Sequence, residues 1–243
     1  MNEPAIEWLG ERALLLRFGD AIERSLNERV HDAALALRAA GIAGIVEIVP
    51  AYSSLCVHCD PTSLTGSTES ARELLVARVR DAIVGGRAAT AKTVREDKRQ
   101  QNDTAATVEI PVCYGGAFGP DLDAVAVHAA LDAADVIAMH AAAKYQVAML
   151  GFAPGFPYLL GLDTRLHTPR LAQPRTRVPP GSVAIGGAQT GIYPRELPGG
   201  WRIIGRTPTV LFDATRAPPA LIAPGQRVRF RAIDADEFAE LSR

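Results

Sequence analysis

At 243 residues the chain has room for one large domain or two ordinary ones, and 48% hydrophobic with 22% charged residues is the composition of a soluble globular protein. A formal net charge of −1 supplies no basic footprint for nucleic acid, and no apolar run approaches the roughly 18 residues of a membrane helix. The start, MNEPAIEWLGER, is acidic where a secretory leader is basic, and three cysteines make no disulfide scaffold, so a cytoplasmic location is expected.

Ile6–Trp8 and Ala13–Phe18 read as two strands around a Gly10-Glu11 turn. Asp20 and Glu23 have the spacing of a capping box, which predicts a helix start at Asp20. Ile22, Leu26, Val30, Ala33, Ala34 and Leu37 then recur at helical spacing until Gly41. Ile45–Val49 and Tyr52–His58 follow as strands, turned by Pro50 and stopped by Asp60-Pro61. Ser67 is placed to cap a second helix with Ala71, Leu74, Leu75, Val79 and Ile83 on one face, closed by Gly85-Gly86. Residues 1–87 therefore predict a small α/β sandwich, helices on one face of an antiparallel sheet. Cys56-Val-His-Cys59 has CxxC spacing, but in a strand residues three apart face opposite ways, which argues against a shared metal or a disulfide. His58 shares a face with Cys56 and is placed to reach a site at the domain edge, with a structural role the stronger reading of the residue alone.

Residues 88–106 are polar with few core-forming side chains and read as a linker. The second domain is expected over 107–243. It opens with a strand, Thr107–Val112, and the turn Tyr114-Gly-Gly-Ala-Phe-Gly119, which leads through Pro120-Asp121 into a helix. Such glycines can aim N–H groups at an anion, but no GK[ST] makes this a P-loop, and a tight strand-to-helix turn is the favoured reading. Helices are predicted at Leu122–Ala130 and, capped by Asp132, at Ala133–Ala142, before a strand at Tyr145–Met149. From Met149 to Pro208 glycine and proline punctuate short apolar runs such as Val183–Ile185 and Trp201–Ile204. Leu211-Phe212 and Val228–Ile233 finish the sheet, and Ala235–Leu241 reads as a terminal helix. Many short strands and few helices predict a closed β-barrel and an α+β chain.

Arg175, Arg177, Arg202 and Arg206 lie in the loop-rich stretch with Gln189, Tyr193 and Trp201. Planar cationic donors beside aromatics suit an anionic or amide-bearing ligand. A barrel with tight corners and solvated arginines has the same composition, and the residues alone leave both readings open. There is no GxSxG or HExxH, and His128, His140 and His167 are scattered, so neither a nucleophile constellation nor a metal site is expected; His140 reads as structural. A complete ATP motif is also missing.

The segments VEIPVCYGGAFGPDL, MLGFAPGFPYLLGLD, TPRLAQPRTRVPPGSVAIGGAQTGIYP and PGGWRIIGRTP occur in this order, preceded by AYSSLCVHCDP. Together they resemble the family of 5-oxoprolinase B subunits, also called the Kip-inhibitor or allophanate hydrolase subunit 1 family. The resemblance implies an α+β N-terminal domain and a cyclophilin-like β-barrel, the C and D subdomains of a carboxyltransferase-type module. It implies ATP-dependent opening of 5-oxo-L-proline to L-glutamate, with ATP as co-substrate and with C-type and A-type (LamB/YcsF) 5-oxoprolinase subunits as partners. Other roles it brings are inhibition of a sensor histidine kinase and the carboxyltransferase part of a urea carboxylase-like biotin enzyme, although no biotinyl AMKM-like site is present. Prolyl isomerisation rests on fold analogy only. For the lactam chemistry the expected catalytic residues are Arg177, Gln189 and Arg206. Arg175, Tyr193, Trp201, Tyr114 and His58 are the expected substrate contacts.

Overall fold

A computed structural model describes residues 3–63, 69–86 and 107–243, and the chain divides into a unit of Met1–Ala105 and a unit of Ala106–Arg243. The expected linker and the Ser67 cap lie outside the described residues.

The first unit is an antiparallel sheet in the order β1-β2-β4-β3, from β1 (Ala5–Leu9), β2 (Ala13–Arg17), β3 (Ile45–Pro50) and β4 (Ser54–Cys59). Alternation decides which face is buried. Leu14 and Leu16 of β2 and Leu55 and Val57 of β4 point inward, against Val30, Ala33, Ala34 and Leu37 of α1 (Arg24–Ala40). Leu75, Val79 and Ile83 from a second helix, α2 (69–86), complete this core. Each fully buried leucine contributes roughly 2 kcal/mol of apolar burial. Gly41 ends α1 in the left-handed region at φ 54°, where a side chain would be strained.

The start of α1 departs from the capping-box expectation. The N-cap is Glu23, not Asp20, and its side chain makes no capping bond. The first turn is set by longer-range anchors. Buried Asn27 donates to the carbonyls of Ala51 and Tyr52, and Arg29 donates to the Phe18 carbonyl. The Asn27 bonds fix the helix against the β3–β4 turn and the Arg29 bond ties it to the end of β2, three residues later than the local signal.

The second unit is a closed barrel in the order β10-β7-β6-β13-β5-β12-β9, with β9 pairing back to β10. Its strands are β5 (Val108–Tyr114), β6 (Tyr145–Leu150), β7 (Pro157–Leu160), β9 (Ser182–Gly186), β10 (Gln189–Ile192), β12 (Arg202–Arg206) and β13 (Arg227–Ile233). A ribbon of β8 (Arg175–Val178) and β11 (Leu197–Gly199) lies outside the closed set. Helices α3 (Leu122–Ala129) and α4 (Ala133–Ala142) precede β6, and α5 (Ala235–Leu241) follows β13. No described helix is long and apolar enough to cross a membrane.

Two apolar layers use the two faces of β9. Val183 and Ile185 point into the barrel with Ile110, Val112, Val147, Leu159 and Phe230, while Ala184 belongs to an outer cluster. That cluster holds Phe156, Val178, Tyr193, Trp201 and Ile203. Burial on both faces is why this strand reads as an unbroken apolar run. The expected strand at Leu211-Phe212 is only an isolated bridge, Phe212 to Ala220. Pro208, Pro218 and Pro219 flank it and lack the N–H donors that a ladder requires.

Candidate functional site

The outer face of β7, β10 and β9 is built by register. Gly191 pairs with Tyr158 on one side and Ala184 on the other, and Gln189 pairs with Gly186. Residues opposite each other in an antiparallel pair project to one face, so Gln189, Gly186, Gly191 and Tyr158 share the outside. Thr190 and Ile192, between them, point into the barrel.

Glycine on this face makes room for an indole. A Cβ at Gly186 would lie 2.6 Å from three atoms of the Trp201 ring, and one at Gly191 would meet the Pro157 carbonyl at 2.6 Å and Trp201 at 3.1 Å. Trp201 thus lies flat on bare backbone and is 6% exposed. Phe156 meets it edge-on with centroids 5.7 Å apart, and Tyr158 does so at 5.8 Å. Tyr193 packs edge-on against Phe156 at 5.1 Å. Burial pushes the Tyr193 phenol up, and the Trp201 backbone N–H and the charges of Arg170 and Arg175 oppose that shift.

Three groups rim this aromatic layer. Gln189 is half-buried, and its carboxamide makes no hydrogen bond among the described residues. Arg170 is exposed with its guanidinium 5.7 Å from the Trp201 ring centroid. Phe152 is 61% exposed and stands edge-on to Phe156 at 5.6 Å. Its backbone is held at φ 67° inside a three-residue turn closed by the Ala153 N–H on the Gly151 carbonyl at 2.8 Å. A positive φ at a bulky residue is a strained position, and such positions concentrate at functional loops.

Of the residues singled out from sequence, Gln189, Tyr193 and Trp201 come together here. Arg175 borders the cluster, but its fork is occupied by Asp121 through two bonds of 2.9 and 2.8 Å. Arg177 is paired with Glu196 at 2.9 and 3.0 Å, and its side chain is 76% exposed. Arg206 lies at the far end of β9, opposite Ser182, about four residues or 13 Å along the strand from Gly186. Its Nε donates to the Pro180 carbonyl at 3.0 Å, and its terminal nitrogens have no partner among the described residues. Arg202 donates to the Pro169 carbonyl.

Tyr114 turns to a different task. Its hydroxyl meets His140 Nδ1 at 2.8 Å, and His140 Nε2 meets Thr190 Oγ1 at 3.0 Å. Thr190 donates to the Ala184 carbonyl, so it accepts from Nε2–H, and Nδ1 accepts from Tyr114. His140 is fully buried, stacked on Phe230 at 4.6 Å, and burial pushes its pKa down to about 3. It is a neutral strut, the structural role expected of it. His58 lies on β4 of the first unit with Nε2 3.6 Å from Cys56 Sγ. All three cysteines are free, and burial pushes the Cys59 thiol up to about 11.

Sequence reasoning missed Arg170, Tyr158 and Phe152. Tyr158 and Phe152 sit in the GFAPGFPY segment, whose glycines and aromatics signalled an unusual loop without saying which rings face outward. The face carries an uncommitted carboxamide and an uncommitted guanidinium at the rim of a buried aromatic layer. Among the described residues no group of three or more His, Cys, Asp and Glu side chains could hold a metal ion.

Residues 4–222 match the family described as carboxyltransferase domain, subdomain C and D. The chain is 39% identical over 241 residues to the 5-oxoprolinase B subunit of Bacillus subtilis, covering 96% of this chain and 94% of that one. It is 56% identical over 123 residues to the 5-oxoprolinase B subunit of Escherichia coli O157:H7, covering 51% of this chain and 56% of the relative. Among solved structures it is similar to TTHA0988, with a TM-score of 0.73 and 36% identity over 92% of this chain, which spans 40% of that longer one.

Proposed function

This chain belongs to the family of carboxyltransferase domains, subdomains C and D, and from that premise we propose that it is the B-type component of an ATP-dependent 5-oxoprolinase. The complex opens the lactam of 5-oxo-L-proline to L-glutamate. A five-membered lactam is a resonance-stabilised amide. Transfer of the ATP γ-phosphoryl group to its oxygen releases ADP and gives a phosphoimidate; water adds at the ring carbon, the C–N bond breaks with the nitrogen taking up the proton, and a second water displaces phosphate from the resulting acyl phosphate to leave L-glutamate. The need for ATP places the complex in the cytoplasm.

In this reading the chain binds and orients the lactam, and partners of the C type and the A (LamB/YcsF) type supply the rest of the reaction. The observation that carries it is the carboxamide of half-buried Gln189, which makes no hydrogen bond among the described residues and stands opposite Gly186 at the edge of the Trp201 layer. A primary amide has one donor and one acceptor side by side, the complement of a lactam N–H and C=O. Tyr193 and Trp201 form the apolar wall. Of the two expected catalytic arginines, Arg206 has free terminal N–H groups ready to meet phosphoryl charge; Arg177 meets it only on releasing Glu196.

The test is reconstitution with both partner types and measurement of 5-oxoproline-dependent ADP release. The chain without partners is inactive, and Gln189→Ala lowers kcat/KM of the complex at least tenfold, about the 1.4 kcal/mol of one neutral hydrogen bond. Full turnover in that variant removes Gln189 from the site. No 5-oxoproline-dependent ADP release from the wild-type complex ends the reading.

A further inference from the structure

The outward stripe of α2 reads the same forwards and backwards in charge. Glu69, Glu73, Val76, Ala77, Arg80 and Val84 recur at helical spacing, on a different side from Leu75, Val79 and Ile83, which pack into the core. All but the half-buried Val76 are exposed. Turning the helix end for end about the midpoint of Val76 and Ala77 puts Glu73 in the place of Arg80. Neither charge is answered within the helix. Three and four residues from Glu73 stand Glu69, Ser70, Val76 and Ala77, and around Arg80 stand Val76, Ala77, Ile83 and Val84. Neither side chain makes a hydrogen bond or ion pair among the described residues.

The strand beside this helix is unguarded as well. At the opposite end of the sheet, β3 is bulged between Ile45 and Glu47 and its Ile48 carbonyl accepts from Arg38 Nη2 at 3.0 Å, devices that keep an edge from recruiting a strand. β1 pairs with β2 over all five residues without a bulge, and its other edge meets no strand among the described residues. Arg72 seats α2 next to it, donating to the Gly10 carbonyl at 3.0 Å with its guanidinium 4.2 Å from the Trp8 ring centroid. A groove of about 510 Å³ lies between Trp8 and the helix and runs past Glu73, Val76, Ala77 and Arg80.

We infer that this face of the first unit docks a second copy of the chain, α2 against α2 in the antiparallel sense, about a two-fold axis through Val76 and Ala77. Such an axis brings Glu73 of each protomer to Arg80 of its partner, so the ion pair forms twice. The small side chains at the centre let the helix axes approach to about 8–10 Å. The same rotation sets β1 beside its own copy in the antiparallel sense, the one a strand must take when it pairs with itself about a two-fold. Reversal symmetry is what selects a second copy, because a different protein needs only a complement to its own charges. The competing reading is a monomer in which Glu73 toward the helix start and Arg80 toward its end suit the macrodipole. That reading has no use for the symmetry. The inference goes beyond the function proposed above and does not depend on it.

Sedimentation velocity of the full chain over a range of concentrations tests it. The wild type shows a reversible monomer–dimer equilibrium. Glu73→Arg and Arg80→Glu each place two like-charge pairs across the axis and weaken the dimer about 10-fold or more. Combining the two changes in one chain restores the pairing with its signs exchanged and returns the affinity to within about threefold of wild type. An equimolar mixture of the two single variants dimerises more tightly than either variant does alone. Both side chains are exposed, so far-UV circular dichroism and Tm of the single variants match the wild type. A wild type that stays monomeric at every concentration overturns the inference. So do single variants that dimerise as the wild type does, and so does a double variant or mixture that fails to recover.

Discussion

Asp121 and Arg175 meet at two points, Nη1 on Oδ2 at 2.9 Å and Nη2 on Oδ1 at 2.8 Å, and the same Oδ2 also accepts the Ile203 backbone N–H at 2.7 Å. One carboxylate thus ties the start of α3 to β8 and to β12. Asp121 is buried while the Arg175 side chain is 30% exposed, so the pair is partly shielded from water. An arginine that sequence placed at the substrate is occupied in joining the ribbon to the barrel.

Breaking that joint is costly because the surviving charge keeps its burial. Asp121→Ala lowers stability by roughly 2–4 kcal/mol, discounted from a fully buried pair for the exposure of Arg175. Arg175→Lys does not restore it, since a point charge cannot make both contacts. Urea unfolding reads this as a fall in midpoint at unchanged slope.

His140 makes stability depend on acidity in a predictable direction. Its folded pKa of about 3 lies below the ordinary 6.5, so below pH 6.5 the unfolded chain holds the proton more tightly. Its contribution is fully present above about pH 6.5 and is lost as pH falls toward 3. Against pH, stability of the wild type falls more steeply than that of His140→Gln in this window, by up to about 1.4 kcal/mol per pH unit for one proton. Parallel profiles from unfolding curves at several pH values contradict the assignment.

Gly186→Ala tests the seat of Trp201. The new Cβ would fall 2.6 Å from the indole, closer than any real contact, and β9 is held on both sides. The ring must shift, with a loss of about 1–3 kcal/mol. The emission of Trp201, observed with Trp8→Phe in the background, moves as the ring becomes wetter.

Phe152 separates strain from contact. Phe152→Gly relieves the positive φ and gives up an aromatic pair, two effects of about 1 kcal/mol that nearly cancel. Phe152→Ala gives up the pair and keeps the strain, so it is less stable than the glycine variant by about 1 kcal/mol. Thermal unfolding compares the two, and a more stable alanine variant rules out strain at this turn.

Much of the fold was legible because burial there follows simple periods. The stripe Val30, Ala33, Ala34 and Leu37 and the run Val183–Ile185 took the places their spacing predicts. The start of α1 was not legible, because Asn27 binds carbonyls 24 and 25 residues away. For the site, glycine and aromatic content marked the stretch that holds Gln189, Tyr193 and Trp201. Charge pairing was hidden: nothing local says that Asp121 claims Arg175, 54 residues on, or that Arg170 is left without a carboxylate.

The parallel ladder of β5 and β13, from Val108 with Val228 to Cys113 with Ile233, joins segments about as distant along the second unit as its length permits. Such a seam closes last, since a long intervening loop must be ordered before any of its hydrogen bonds form. A ribosome has therefore to deliver the chain through Ile233 before the cylinder can seal. Until then β5 presents an open edge that invites mispairing, which makes the nascent protein a natural client for chaperones.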